Sequence, residues 1–236
     1  ASTDNWFRPV FFYNGPDGAI YVVDYYREMI EHPEWTSTRY HEDSEDLYRE
    51  TREGRIYRIY PQGKRPPPQL VRLSQTNSRE LVSLLGYQNA WWRRTAQRLL
   101  VDRRAQELEP DLIELLESSP RPLARLHALW TLEGLGVLAP ETVLTALSDA
   151  HPGVRENALI LSERYLNESD EVRERILELA TNSSQREHFQ VLLSSGFLSS
   201  LEARAVRDRL LLEGAADPCV PITALSASSN EASRLL

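Results

Sequence analysis

The sequence predicts a mainly α-helical chain with a small β segment: an α-solenoid of paired helices preceded by a three-stranded antiparallel sheet. Three observations carry this. Aromatic and β-branched runs bounded by Gly, Pro and Asn cluster in the first 60 residues. Beyond them, Leu, Ile and Val recur at helical spacing in paired segments separated by Pro, Gly, Asn or Ser. A small-residue position also recurs at Ala96, Ala128 and Ala158, with a degenerate fourth copy at Phe189; the spacings of 32, 30 and 31 residues are the period of a two-helix repeat.

Residues 7–13 (FRPVFFY) and 19–25 (AIYVVDY) read as strands, and Asn14-Gly15-Pro16-Asp17-Gly18 between them supplies turn chemistry, so a hairpin is expected. The run 55–60 (RIYRIY) alternates Arg with apolar residues and predicts the third strand. Three strands with two free edges rarely stand alone. Between the second and third strands, residues 26–53 form an insertion. Its first part (YREMIEHPEW) predicts a helical turn stopped by Pro33, and its second part, 37–53, is highly charged. A loop of that length inside a compact sheet is usually functional or disordered.

The run 62–69 (QGKRPPPQ) reads as a stiff polyproline linker, and the composition shifts beyond it to Leu, Ala, Arg and Glu. The expected organisation is therefore a β segment with its charged insertion over 1–61, the linker over 62–69, helical repeats over 70–214 and an irregular tail over 215–236. The first helix of each repeat carries Leu81, Leu84 and Leu85; Leu112, Leu115 and Leu116; Val143, Leu144 and Leu147; or Ile176, Leu177 and Ala180. The second carries Arg93-Arg94-Thr95-Ala96, Arg125-Leu126-His127-Ala128, Arg155-Glu156-Asn157-Ala158 or the degenerate Arg186-Glu187-His188-Phe189. A two-helix unit cannot cover its own apolar face, so neighbours stack, and a small residue suits the closest approach of helices. Arg93, Arg125 and Arg155 lie one turn before that position and are expected to form a ladder, each pairing with an acid or a carbonyl of the adjacent repeat. Residues 201–212 predict one further helix, which Asp217-Pro218 is expected to end.

Composition narrows the function classes. A net charge of -8 argues against general nucleic-acid binding, which needs a basic face. The acidity is concentrated in residues 1–62, where 7 Arg meet 12 Asp and Glu, or -5, leaving -3 for the rest. Lys64 is the one lysine among 27 basic residues and sits in a Pro-rich context, so neither Schiff-base chemistry nor a Walker-type phosphate loop is expected. Cys219 is the sole cysteine, which excludes an internal disulfide, a CxxC metal site and a CxxCH haem attachment within the chain. No GxSxG motif supports Ser-His-Asp catalysis. No run approaches the ~18 apolar residues of a membrane span, and a chain opening on Ala1 without a leader reads as a processed or excised piece.

The run FRPV…GPDGAIYVVDYYREMIEHPEW…GRIYRIYP, covering residues 5 to about 62, resembles the end of the β-propeller in large exported dehydrogenase-like proteins of planctomycete type, related to glucose/sorbosone dehydrogenases. In that family HEAT-like helices follow the propeller, often with a haem-binding CxxCH domain. The segments DAHPGVRENA (149–158) and NAWWRRTA (89–96) are similar to HEAT repeats. The resemblance implies that residues 1–61 are part of a final propeller blade and that the helices are a HEAT-like solenoid. It also implies an exported or periplasmic location. A parent enzyme would use pyrroloquinoline quinone with calcium, or haem c, with no cofactor held by this chain. The expected partners are other domains of the parent chain or a separate protein, without nucleic acid and without a membrane span.

Asp24, Arg27, Glu28 and His32 form a cluster of titratable groups after the second strand, with Glu31 beside them. In propellers the loops at one end of the central channel form the active site, so these are the candidate channel-loop residues; the competing reading is a solvated loop sealing the blade. Glu42, Asp43, Glu45 and Asp46, with His41 nearby, offer oxygen ligands for calcium, but without EF-hand spacing or its turn glycine they read as a charged surface loop. Trp91, Trp92, Trp130 and His127 read as packing residues, and His151-Pro152 as an inter-helix turn. No catalytic residue is assigned.

Overall fold

The computed structural model describes residues 2–27, 53–64, 72–181 and 184–227. It is mainly α-helical with one small antiparallel sheet. The chain forms two compact units, one of residues 1–72 together with 88–92, the other of residues 73–87 and 93–236.

In the first unit, β1 (Pro9–Asn14), β2 (Ile20–Asp24) and β3 (Arg55–Ile59) pair in that order, each antiparallel to the next. The central strand β2 is the one that buries side chains, Val22 and Asp24. Directly opposed residues share a face. Phe11, Val23 and Ile56 therefore form a row on one face, and Phe12, Val22 and Tyr57 on the other. Period-two alternation would leave one face polar, but here both are apolar, and Phe11, Phe12, Ile56 and Ile59 are exposed.

The β1–β2 turn is built around Asp17. Its carboxylate accepts hydrogen bonds from the Ala19 amide at 3.0 Å, the Tyr21 hydroxyl at 3.1 Å and Arg58 Nε at 2.7 Å. Gly15 is required there, because a Cβ would stand 2.2 Å from Tyr21 Cε2. Residues 88–92 hold the same turn: Asn89 Nδ2 donates to the Gly15 and Pro16 carbonyls at 2.8 and 3.2 Å, and Trp92 Nε1 donates to the Pro16 carbonyl at 2.8 Å.

The helices are α1 (Ser78–Leu84), α2 (Ala90–Asp102), α3 (Glu109–Ser118), α4 (Pro122–Leu135), α5 (Pro140–Leu147), α6 (Pro152–Ser162), α7 (Asp170–Leu179), α8 (Gln185–Ser194), α9 (Leu201–Glu213) and α10 (Cys219–Ala227). Local chemistry sets their starts. Pro122, Pro140 and Pro152 sit in first turns, where the missing N–H is no loss; Asn77, Ser169, Ser184 and Ser200 cap with their side chains, and Ser184 with Glu187 completes a capping box.

In the second unit, α3 packs on α4, α5 on α6 and α7 on α8 as antiparallel pairs. Successive pairs stack, α1, α3, α5 and α7 making one row and α4, α6, α8 and α10 the other. Helix α2 meets α4 where Gly134 lets Val101 approach; a Cβ there would be 2.8 Å from Val101 Cγ2. Fully buried leucines between the rows, among them Leu81, Leu112, Leu129, Leu147 and Leu159, form the core, each contributing roughly 1.5–3 kcal/mol of transfer free energy.

The expected irregular tail over 215–236 needs correction, because residues 219–227 form α10. Asp217 Oδ1 accepts from the Cys219 amide at 2.9 Å and starts a new helix instead of ending the chain's order. Val220, Thr223 and Ala224 are then buried, and α10 packs against α8. No helix among the described residues is long and apolar enough to cross a membrane.

Candidate functional site

Of the four candidate loop residues, Asp24 and Arg27 are described; Glu28 and His32 lie outside the described residues, as do His41, Glu42, Asp43, Glu45 and Asp46. Asp24 is 1% exposed, and its Oδ1 accepts from the backbone amides of Arg8 at 2.7 Å and Tyr26 at 2.9 Å. Its carboxylate is thus a brace that turns the chain at the end of β2. Arg27 donates its amide to the Trp6 carbonyl at 2.9 Å and holds its guanidinium 4.8 Å from the Tyr25 ring centre. Tyr26 between them takes φ 46°, the left-handed region, with the Arg55 guanidinium 3.6 Å over its ring. Among the described residues no group of three or more His, Cys, Asp or Glu converges in a metal-binding arrangement.

Sequence reasoning missed the Asp17–Tyr21–Arg58 cluster in the β1–β2 turn. Burial alone would raise the Asp17 pKa, but hydrogen bonds from Ala19, Arg58 and Tyr21 together hold it below the usual carboxylate range. The Tyr21 phenol is pushed up by desolvation and by its bond to that carboxylate. The signal was available: Asp between Pro and Gly in a turn, and Arg58 directly opposite Tyr21 once the strands are in register.

The ladder residues of the second unit share one geometry. Arg93, Arg125 and Arg155 each donate NH1 to the carbonyl six residues back, those of Tyr87, Ser119 and Asp149, at 2.6, 2.7 and 2.7 Å. Arg125 and Arg155 also reach into the following repeat. Arg125 forks onto both Asp149 oxygens at 2.6 and 2.7 Å, and Arg155 Nε lies 2.5 Å from Glu187 Oε1. All three arginines thus tie a turn to its own helix, and Arg125 and Arg155 also tie it to the next pair. Asp149 and Glu187 are both pushed upward by burial, and both end below their ordinary pKa because the guanidinium bonds and the capping amides outweigh it.

The fourth repeat is shifted from the sequence expectation. The helix-capping positions are His151 and Ser184, 33 residues apart, not 31. Buried Ala158, Leu159 and Ser162 then correspond to buried Val191, Leu192 and Ser195. In this register His188, not Arg186, occupies the ladder position, and Arg186 pairs instead with Glu156 at 3.0 Å.

Further polar contacts tie α2, α4 and α6. His127 Nδ1 lies 2.6 Å from Gln97 Oε1, and Trp130 Nε1 donates to Asn157 Oδ1 at 2.9 Å. Desolvation, reinforced by the positive charges of Arg93 and Arg94, lowers the His127 pKa to about 4, so the ring is neutral near pH 7. A cleft of about 630 Å³ opens between α8 and the α9–α10 pair, floored by Phe189, Leu192, Leu210 and Val220.

The model of a family described as a domain of unknown function (DUF7133) matches residues 1–63. No curated protein matches the chain, and no solved structure does. The family match spans the sheet and its insertion and leaves the helical repeats outside it.

Proposed function

We propose that this chain is a non-catalytic structural and protein-interaction module, a HEAT-like helical scaffold attached to the end of a propeller dehydrogenase domain. The observation that carries the reading is the two-sided apolar sheet. Phe11 and Ile56 on one face are 56% and 69% exposed, and Phe12 and Ile59 on the other are 62% and 52% exposed. A sheet with one solvated face would be polar there; propeller blades, stacked side by side, are covered on both faces. The resemblance of residues 5–62 to the closing segment of such propellers supports the same assignment.

The helical rows suit a scaffold, since stacked pairs present long continuous surfaces to a partner. In this reading pyrroloquinoline quinone with calcium, or haem c, belongs to other domains of an exported parent protein. The 24–32 loop contributes to substrate binding only within that parent. The test is a dye-linked dehydrogenase assay of this chain against sugars and alcohols with added quinone and Ca²⁺. No turnover is expected, and measurable turnover would overturn the assignment.

A further inference from the structure

The ladder has one rung without its guanidinium. In the turn before α6, Asp149 Oδ1 accepts the His151 amide at 2.7 Å, and both carboxylate oxygens receive Arg125 from α4. The turn before α10 repeats the first half of this arrangement: Asp217 Oδ1 accepts the Cys219 amide at 2.9 Å. The helix that should supply the cation is α8, which stands to α10 as α4 stands to α6. Its ladder position holds His188, whose ring is shorter than an arginine side chain and whose Nε2 is buried without a hydrogen-bond partner. Among the described residues, Asp217 Oδ2 receives Gln185 Nε2 alone, at 3.4 Å.

The 630 Å³ cleft lies at this place, with His188 and Asp217 both in its wall. Among the described residues, Glu156, Glu213 and Asp217 line it against one guanidinium, that of Arg186, which is committed to Glu156 at 3.0 Å. Glu213 is otherwise approached by Arg209 at 3.9 Å. The lining is thus an acidic rim over an apolar floor, complementary to a side chain with an aliphatic stem and a planar cationic head.

We infer that this cleft is a binding site for an arginine side chain of a protein partner, the incoming guanidinium completing the rung at Asp217. The stem would lie along Phe189, Leu192 and Leu210, and the forked head would take the carboxylate as Arg125 takes Asp149. Arginine is favoured over lysine because the equivalent site in the ladder is bidentate.

The experiment compares melting temperatures of the full chain with N-acetyl-L-argininamide, N-acetyl-L-lysinamide and the uncharged isostere N-acetyl-L-citrullinamide at equal ionic strength. At a concentration about five times its dissociation constant, the arginine compound should raise Tm by about 2–4 °C. Lysinamide should give less and citrullinamide no rise. Asp217→Asn, which retains the cap on Cys219, should abolish the effect, and His188→Arg should raise Tm by itself and remove the response to ligand. An equal rise with citrullinamide, a rise that survives in Asp217→Asn, or no rise at all would overturn the inference. The inference rests on the scaffold reading, but turnover in the dehydrogenase assay would sink that reading while leaving this comparison to be decided independently.

Discussion

Arg155 and Glu187 join neighbouring helix pairs through an Nε–Oε1 contact of 2.5 Å, and the Glu187 side chain is completely buried. The same carboxylate accepts the Ser184 amide at 2.8 Å and the Ser184 hydroxyl at 2.6 Å, so one residue caps α8 and ties it to α6. Removing it leaves Arg155 facing a buried gap and strips the cap. Glu187→Ala should destabilise the helical unit by about 3–5 kcal/mol, measured by urea denaturation. Glu187→Ala in an Arg155→Ala background should cost clearly less, as a coupled pair requires. Additive losses would show that the contact carries no coupling.

Acid should weaken the helical unit in two stages. His127 titrates at about 4 in the folded chain, below its ordinary 6.5. Between these values the unfolded chain binds a proton that the folded chain refuses, so stability falls as pH drops from about 6.5 to about 4 and then levels off. Allowing for partial solvent screening, the loss is on the order of 1–2 kcal/mol. His127→Gln should flatten this limb. The carboxylates of Asp149 and Glu187, both held low, stabilise the fold at higher pH and lose that contribution as pH falls through their depressed folded values. A profile without the upper stage in the wild-type chain would contradict the placement of His127.

Gly15→Ala should damage the sheet specifically. The new Cβ would overlap the Tyr21 ring, as its 2.2 Å distance to Cε2 indicates, and the turn carbonyls would shift away from Asn89 and Trp92. Overpacking of this kind costs about 1–3 kcal/mol. The loss should appear as faster amide exchange in β1 and β2, with α3–α7 unchanged. Trp92→Phe, which removes the hydrogen bond to Pro16, should produce a milder form of the same change, about 1 kcal/mol.

The two-helix period was legible because Pro, Gly and Ser mark the turns and because burial repeats with helical spacing. Its last copy was not, since Arg186 matches the repeated letter while the longer approach to Ser184 moves the burial pattern by two residues. Helix α10 was obscured for a related reason. Asp217-Pro218 has the composition of a stop, and the Asp217 cap on the Cys219 amide together with packing against α8 makes it a start. At the candidate loop, Asp24 stands among charged neighbours in sequence, yet strand pairing and two backbone amides draw it inside. Spacing alone carries no information about which backbone groups a carboxylate will meet. The sheet's three strands were legible from turn chemistry and β-branched runs; that it needs a partner is the proposal that its exposed apolar residues support.

That need is the central claim, and amide hydrogen exchange of the isolated full chain tests it most directly. Residues 9–14 and 55–59 should exchange markedly faster than the buried turns of α3–α6, because Phe11 and Ile56 on one face and Phe12 and Ile59 on the other are exposed while the helices bury their leucines. Equal protection of strands and helices would contradict the account, showing a sheet that is complete as it stands.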